Sequence, residues 1–227
     1  MGVGSTHALL YPGLDKSLSL NVLSAHFPLG RGGAQVGLSV LEYEDWSEQV
    51  LIGGYGWSIH PRVAVGGNVA SMGWQVSDLS RRTFRIALGG AYEVGWVSHQ
   101  AYVRLAVTVT NLTRANVAAS RHRSGRTPLG GVVAASIDVG RQRLLLDLQR
   151  EGRDNQIRVG YETRPQGWAG VQFRMGGNAL VSQWDGGELD AGLGHAWREW
   201  QFDYAYSYPL TLDGFGGIHR VSVRWLQ

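Results

Sequence analysis

The stretch Arg198–Trp225, REWQFDYAYSYPLTLDGFGGIHRVSVRW, decides the fold. Within it Trp200, Phe202, Tyr204, Tyr206 and Tyr208 take every second position, and Gln201, Asp203, Ala205 and Ser207 take the positions between. Successive side chains of a strand point to opposite faces, so this is one strand with an aromatic face and a polar face. A soluble sandwich would have to bury five large rings from one strand against a second sheet. A strand crossing a bilayer would turn the rings to lipid and the Gln/Asp/Ser face to a wet lumen.

The rest of the chain chooses between the two. It has 227 residues, a formal net charge of +3, abundant Gly and no Cys, and Lys16 is its only lysine. Disulfides and Cys-based metal sites are excluded. No linker or composition shift divides the chain, so residues 1–227 read as one unit. The basic residues are spread over many strands, a pattern that argues against nucleic acid as a partner. No run approaches the roughly 18 apolar residues of a spanning helix, a test that a β-barrel escapes because half of each strand is polar. Met1–Tyr11 has neither a basic n-region nor an apolar h-region. The expectation is a secretory signal already removed or lying upstream.

Period-two alternation recurs from Lys16 to the end, in 13 stretches broken by Gly, Pro, Asn and Asp. The connections alternate in length. "PLGRGG", "HPR", "VGWVSHQ", "GRQ", "RPQG" and "REW" are short; "EDWSE", "VSDLSRR", "LTRANVAASRHRSGR", "GNALVSQWDGG" and "PLTLDGFGG" are longer, with "REGRD" a brief exception. Short periplasmic turns and longer outer loops are the rhythm of an outer-membrane barrel. Closure with an even strand count then requires one more strand before Lys16, so the prediction is an all-β, antiparallel up-and-down transmembrane barrel of about 14 strands. Residues 1–15 are expected to hold part of a first strand or an N-terminal segment.

The two faces of the strands separate. Leu51, Tyr55, Phe84, Ile86, Leu105, Val107, Leu144, Leu146, Val159, Phe173, Val221 and Val223 lie on one face, uninterrupted by charge. Arg85, Glu93, Arg104, Asp138, Arg143, Asp147, Arg158, Glu162, Arg174, Asp190, Asp203, Arg220 and Arg224 lie on the other. An Arg on the lipid face at the bilayer midplane costs about 2–4 kcal/mol, which is reason enough to clear charge from one face. Trp57, Trp96, Tyr161, Trp197, Trp200 and Trp225 fall at the ends of outward faces on the side of the short turns, where a periplasmic aromatic girdle belongs. The lumen charges fit either a polar channel or, as the preferred reading, a salt-bridged interior that stiffens the barrel.

No G-x-S-x-G elbow, Walker loop or placed Ser/His/Asp order is present, and no histidine pair has metal-ligand spacing. Neither enzymatic activity, nor a metal, nor a cofactor is expected. The loop Thr113–Arg126 is basic and is expected outside the cell, where solvation accounts for it.

From Arg141 onward, and most clearly at "FDYAYSYPLTLDGFGGIHRVSVRW", the sequence resembles the C-terminal half of PorV/PorQ-type outer-membrane proteins, members of the wider FadL-like barrel group. Weaker likeness runs back through "VRLAVTVTNL" and "HPRVAVGGNVAS" to "THALLYPGLDKSLSLNVLSAHFPLG". The family often has Thr where Ile218 stands, ends in an aromatic where this chain ends in "RWLQ", and carries an N-terminal Gly-rich segment that is missing here. The resemblance implies a 14-stranded barrel in the bacterial outer membrane. It also implies a partner role in a secretion or surface-assembly complex, or the alternative of transporting hydrophobic small molecules. Outer-membrane lipid, other membrane or secreted proteins and a hydrophobic solute are the implied partners. For a transporter, Leu180, Val181, Trp184, Leu210, Leu212 and Phe215 offer an apolar pocket under the outer loops.

Overall fold

The computed structural model describes residues 1–10, 18–97, 101–116, 125–181, 186–211 and 216–226. Fourteen strands follow one another along the chain: β1 Gly2–Leu10, β2 Leu18–Leu29, β3 Gly32–Tyr43, β4 Trp46–His60, β5 Val63–Val76, β6 Leu79–Trp96, β7 Ala101–Thr110, β8 Gly130–Val139, β9 Gln142–Glu151, β10 Asp154–Thr163, β11 Val171–Leu180, β12 Gly187–Trp197, β13 Trp200–Pro209 and β14 Ile218–Leu226. Each pairs antiparallel with its sequence neighbours, and β1 closes the barrel against β14. Closure leaves no exposed sheet edge, the condition for a sheet that crosses a bilayer.

Gly2–Leu10 is a whole strand, paired along its length with both β2 and β14, so all fourteen strands lie within this chain. Its alternation was faint because Gly2, Gly4, Thr6 and Ala8 leave one face nearly bare.

The barrel is sheared. Register partners starting at Trp96 on β6 run through Tyr102, Asp138, Arg143, Glu162 and Arg174, continue through Gly192, Ala205, Arg220, Ala8, Leu20, Leu41, Glu48 and Trp74, and return to β6 at Arg81. One circuit thus climbs most of the length of β6, which is the strand tilt that closure demands.

Both described ends of the chain lie on one rim, with the turns at Gly30–Arg31, Pro61–Arg62, Gly140–Arg141 and Arg198–Glu199. The longest connection, residues 111–129, leaves from the far rim, which is therefore the outer one. Two segments expected there as loops are instead two-residue turns, Glu44–Asp45 in "EDWSE" and Ser77–Asp78 in "VSDLSRR". Positive φ explains them: Glu44 (49°) and Ser77 (50°) adopt the conformation that Gly30, Gly140 and Gly152 supply at other two-residue turns. The flanking strands therefore continue upward, and Glu42, Gln49, Gln75 and Arg82 mark where β3–β6 rise clear of the apolar band. Left-handed backbone costs an L-residue roughly 1–2 kcal/mol, so Ser77→Gly is expected to stabilise the barrel by about 1 kcal/mol. A urea unfolding midpoint unchanged or lowered in this variant would contradict that account of the turn.

The described residues form no packed interior. Among the described residues, the buried apolar side chains are Ala8, Ala70, Ala87, Ala115 and Ile218, all small except the last. Large apolar side chains lie on the outer face half exposed, among them Leu51 at 58%, Phe84 at 57% and Val107 at 53%. Such a surface is stable only against hydrocarbon.

Candidate functional site

The lumen is the site, and register assigns its lining. All thirteen charges from Arg85 to Arg224 share the inward parity. Several are tied into two clusters toward the short-turn rim. In the first, the Tyr102 hydroxyl donates to Glu93 at 2.5 Å, Arg104 reaches Glu93 at 3.8 Å and Asp138 at 3.4 Å, and Arg143 Nε donates to Asp138 at 2.5 Å. In the second, Arg174 bridges Glu162 at 3.1 Å and Asp203 at 2.6 Å, with Arg164 on Glu162 at 3.2 Å. Arg143 and Glu162 are direct cross-strand partners, so the two clusters form one belt along the row that climbs from β7 to β13.

Water reaches the guanidiniums, with Arg104 at 43% and Arg174 at 35% exposure, and screens the Arg104 pairs more than those of Arg174, whose partner Asp203 is only 10% exposed. Replacing Asp138 by Asn removes the negative charge shared by two guanidiniums and turns one of its two acceptor oxygens into a donor. The expected loss is about 1 kcal/mol, shrinking as salt rises. A salt-independent loss measured by chemical unfolding would mean that the belt acts through packing.

Other inward charges are less engaged. Arg158 donates to Gln156 at 2.7 Å, and Asp190 accepts from Ser207. Asp147 faces Arg158 in register. Arg85 beside Ala70, Arg220 between Ala8 and Ala205, and Arg224 between Gly4 and Gln201 have no ion pair among the described residues.

The opposite wall is different in kind. Parity carried across β2–β5 turns Leu20, Val22, Leu41, Val50, Ile52 and Met72 inward. Below them a hollow of about 480 Å³ is lined by Gly54, Gly56, Gly66, Gly89, Ala64, Ala87 and Ala91, with His26, Gln35, Asn68 and Thr108 set among this bare backbone. Sequence reasoning missed this wall because both faces of β2–β5 carry apolar residues, so alternation alone names no inside.

A second lumen cavity, about 770 Å³, lies above the belt on the charged side, lined by Gln156, Arg158, Asn178, Glu188, Asp190 and Arg220 with Leu145 and Leu180. Of the residues expected to form an apolar pocket there, Leu180 lines this cavity. Leu210, half exposed, sits against Gly187 on the outer side. Val181 follows the end of β11, and Trp184, Leu212 and Phe215 lie outside the described residues.

The aromatic residues of the short-turn rim divide. Trp197, Trp200 and Trp225 are successive register partners and form one outward row, with Trp57 and Tyr161 on the outer parity of β4 and β10. A β-bulge between Glu93 and Gly95 (φ 91°) advances β6 by one residue. Trp96 therefore stands opposite Tyr102, edge to face at 5.4 Å, on the lumen side of the rim. Among the described residues no group of His, Asp or Glu is placed to hold a metal.

No known protein family and no curated protein matches the chain by sequence. Solved structures do match by shape. The CymD monoaromatic hydrocarbon channel superposes with a TM-score of 0.62 at 10% identity, over 100% of this chain and 87% of that one. The Y282R/D307H variant of OccD1 (OprD) gives 0.54 at 8% identity, over 99% and 94%, and KdgM porin gives 0.50 at 8%, over 100% and 99%. The chain has the fold of the outer-membrane channels. A closed 14-stranded barrel of this shape, with lipid-type side chains on its outer face, is a protein of the bacterial outer membrane. The likeness to the PorV/PorQ or FadL-like groups is not carried by these matches.

Proposed function

We propose that this chain is a channel for small amphipathic solutes. The observation that carries the reading is the two-sided lumen that the described residues leave open. A belt of guanidiniums and carboxylates on β6–β13 faces a wall on β2–β6 that is mostly apolar side chains, Gly and Ala, with His26, Gln35 and Asn68 among them. A solute with an apolar body and a polar or charged end finds a surface for each half, without the desolvation that a wholly charged or wholly apolar lining would impose on one of them. A barrel that served only as a partner in secretion or surface assembly would gain most from a filled, rigid interior; the described residues leave cavities of about 770 and 480 Å³.

The test is conductance of the purified protein in a planar bilayer, with benzenesulfonate added as an amphipathic anion that does not cross lipid unaided. The expected result is a stable conductance step whose current benzenesulfonate reduces at millimolar concentration. Absence of any conductance would remove the channel reading, and a stoichiometric protein partner on gentle extraction would then favour the assembly role.

A further inference from the structure

The outer face is not uniformly apolar: Ser71, His195 and His219 are polar residues of outward parity, and a cluster of such residues lies on β1 and β2. Parity fixed by the pairing of β1 with β14 and β2 turns Ser5 and His7 of β1, and Asn21 of β2, toward the bilayer. Val3 is the partner of Trp225 in the tryptophan row, and His7 lies four residues above it. At about 3.3 Å per residue and a tilt near 40°, that is roughly 10 Å of height, near the middle of an apolar band about 25 Å tall. His7 Nδ1 and Asn21 Oδ1 are 2.8 Å apart. That contact leaves His7 Nε2 and the Asn21 amide N–H groups without a partner among the described residues. Lipid tails offer none, so a bare patch here is unfavourable.

Two strands away stands the aromatic column of β13. Tyr204 is hydrogen-bonded to His219 of β14 at 2.8 Å, and the Tyr206 ring lies 4.9 Å from the same imidazole. Thus a ridge of rings on β13 and a shallow polar strip on β1–β2 flank β14, whose outward Val221 and Val223 are low and apolar. Two barrels inserted in the same sense can be related by a twofold axis along the membrane normal. An axis beside β14 sets β13 of each copy against β1 of the other at equal height. Rows climb from β13 to β1, so the ring brought level with His7 is Tyr206, two positions above the Tyr204 of its row. Its hydroxyl can both donate and accept, matching the imidazole nitrogen and the amide. The strip carries no formal charge, so it does not suit an acidic or basic partner segment.

We infer that the face formed by β13, β14, β1 and β2 is the contact between two copies of this chain in the membrane. Each copy covers the other's His7–Asn21 pair with its tyrosine ridge. The inference is independent of what passes through the lumen.

The chain has no cysteine, so single cysteines report cleanly. Val221→Cys places a thiol beside the axis; Leu146→Cys on β9 places one on a distant part of the wall. Copper phenanthroline applied to native outer membranes should convert most of the Val221→Cys protein to a covalent dimer and leave Leu146→Cys monomeric. Equal cross-linking of the two, or none at Val221→Cys, would overturn the inference. A His7→Val/Asn21→Val double variant should keep heat-modifiable mobility, the sign of a folded barrel, while its dimer yield in the Val221→Cys background falls at least tenfold. An unchanged yield from that folded variant would equally overturn it.

Discussion

Leu146→Arg is expected to cost about 2–4 kcal/mol of barrel stability in lipid, and to deplete the folded, heat-modifiable form in the membrane severely. Leu146 stands on the outer parity of β9 between Ala135 and Val159, in the middle of the apolar run Leu144, Leu146 and Leu148. The guanidinium would have to stay in hydrocarbon or drag water and headgroups toward the midplane. Ser136→Asn is the comparison. Ser136 faces the lumen between Arg104 and Leu145, where water and the belt accept another amide, and a change within about 0.5 kcal/mol is expected. Reversible unfolding in a short-chain phosphatidylcholine bilayer separates the two outcomes. Equal tolerance of both substitutions would contradict the assignment of inner and outer faces.

Gly56→Phe is expected to reduce single-channel conductance several-fold while leaving the barrel folded. Gly56 faces the lumen in register with Gly33 and Gly66, on the bare part of the wall. A Cβ built there meets nothing closer than the Val65 carbonyl at 3.9 Å, so a side chain grows into the passage without disturbing the sheet. Gly53 in the same strand faces outward and a Cβ there meets nothing within 4 Å, so Gly53→Phe should leave conductance unchanged. The contrast isolates the lumen, because both variants add the same ring to the same strand. If the two conduct alike, the passage does not run along the glycine wall.

Much of the barrel is legible in the chain because a bilayer and a wet lumen impose opposite demands on alternate residues. Where the two sets of residues differ strongly, alternation suffices. β9 reads Arg143, Asp147 and Gln149 inward and Leu144, Leu146 and Leu148 outward with no help from its neighbours. In β13 the aromatic column settles the matter at once. Turns are legible where Gly marks them, as at Gly30 and Gly140, and not where Glu44 or Ser77 takes the same positive φ. No propensity scale expects the latter, and two connections were read as loops for that reason.

β1 and β2 show what the chain alone does not decide. Taken by itself, "LSLNVLSAHFPL" would send Leu18, Leu20 and Val22 to lipid and Ser19 and Asn21 to the lumen. The fold does the reverse, because Leu20 is paired through Ala8 to Arg220, and Asn21 through His7 to Val221. In a closed sheet the parity of each strand is bound to that of its neighbours, and a one-residue slip in β2 would break the ladder on both sides. Local hydropathy yields to that collective constraint. The sequence by itself determined a membrane barrel, its strand count and its charged wall, since each follows from residues near one another along the chain. Only the closed structure decided that the lumen has an apolar and glycine-lined wall, that Trp96 turns inward past a bulge, and that His7 and Asn21 face the bilayer. These depend on register between strands, and register is a property of pairs of distant segments.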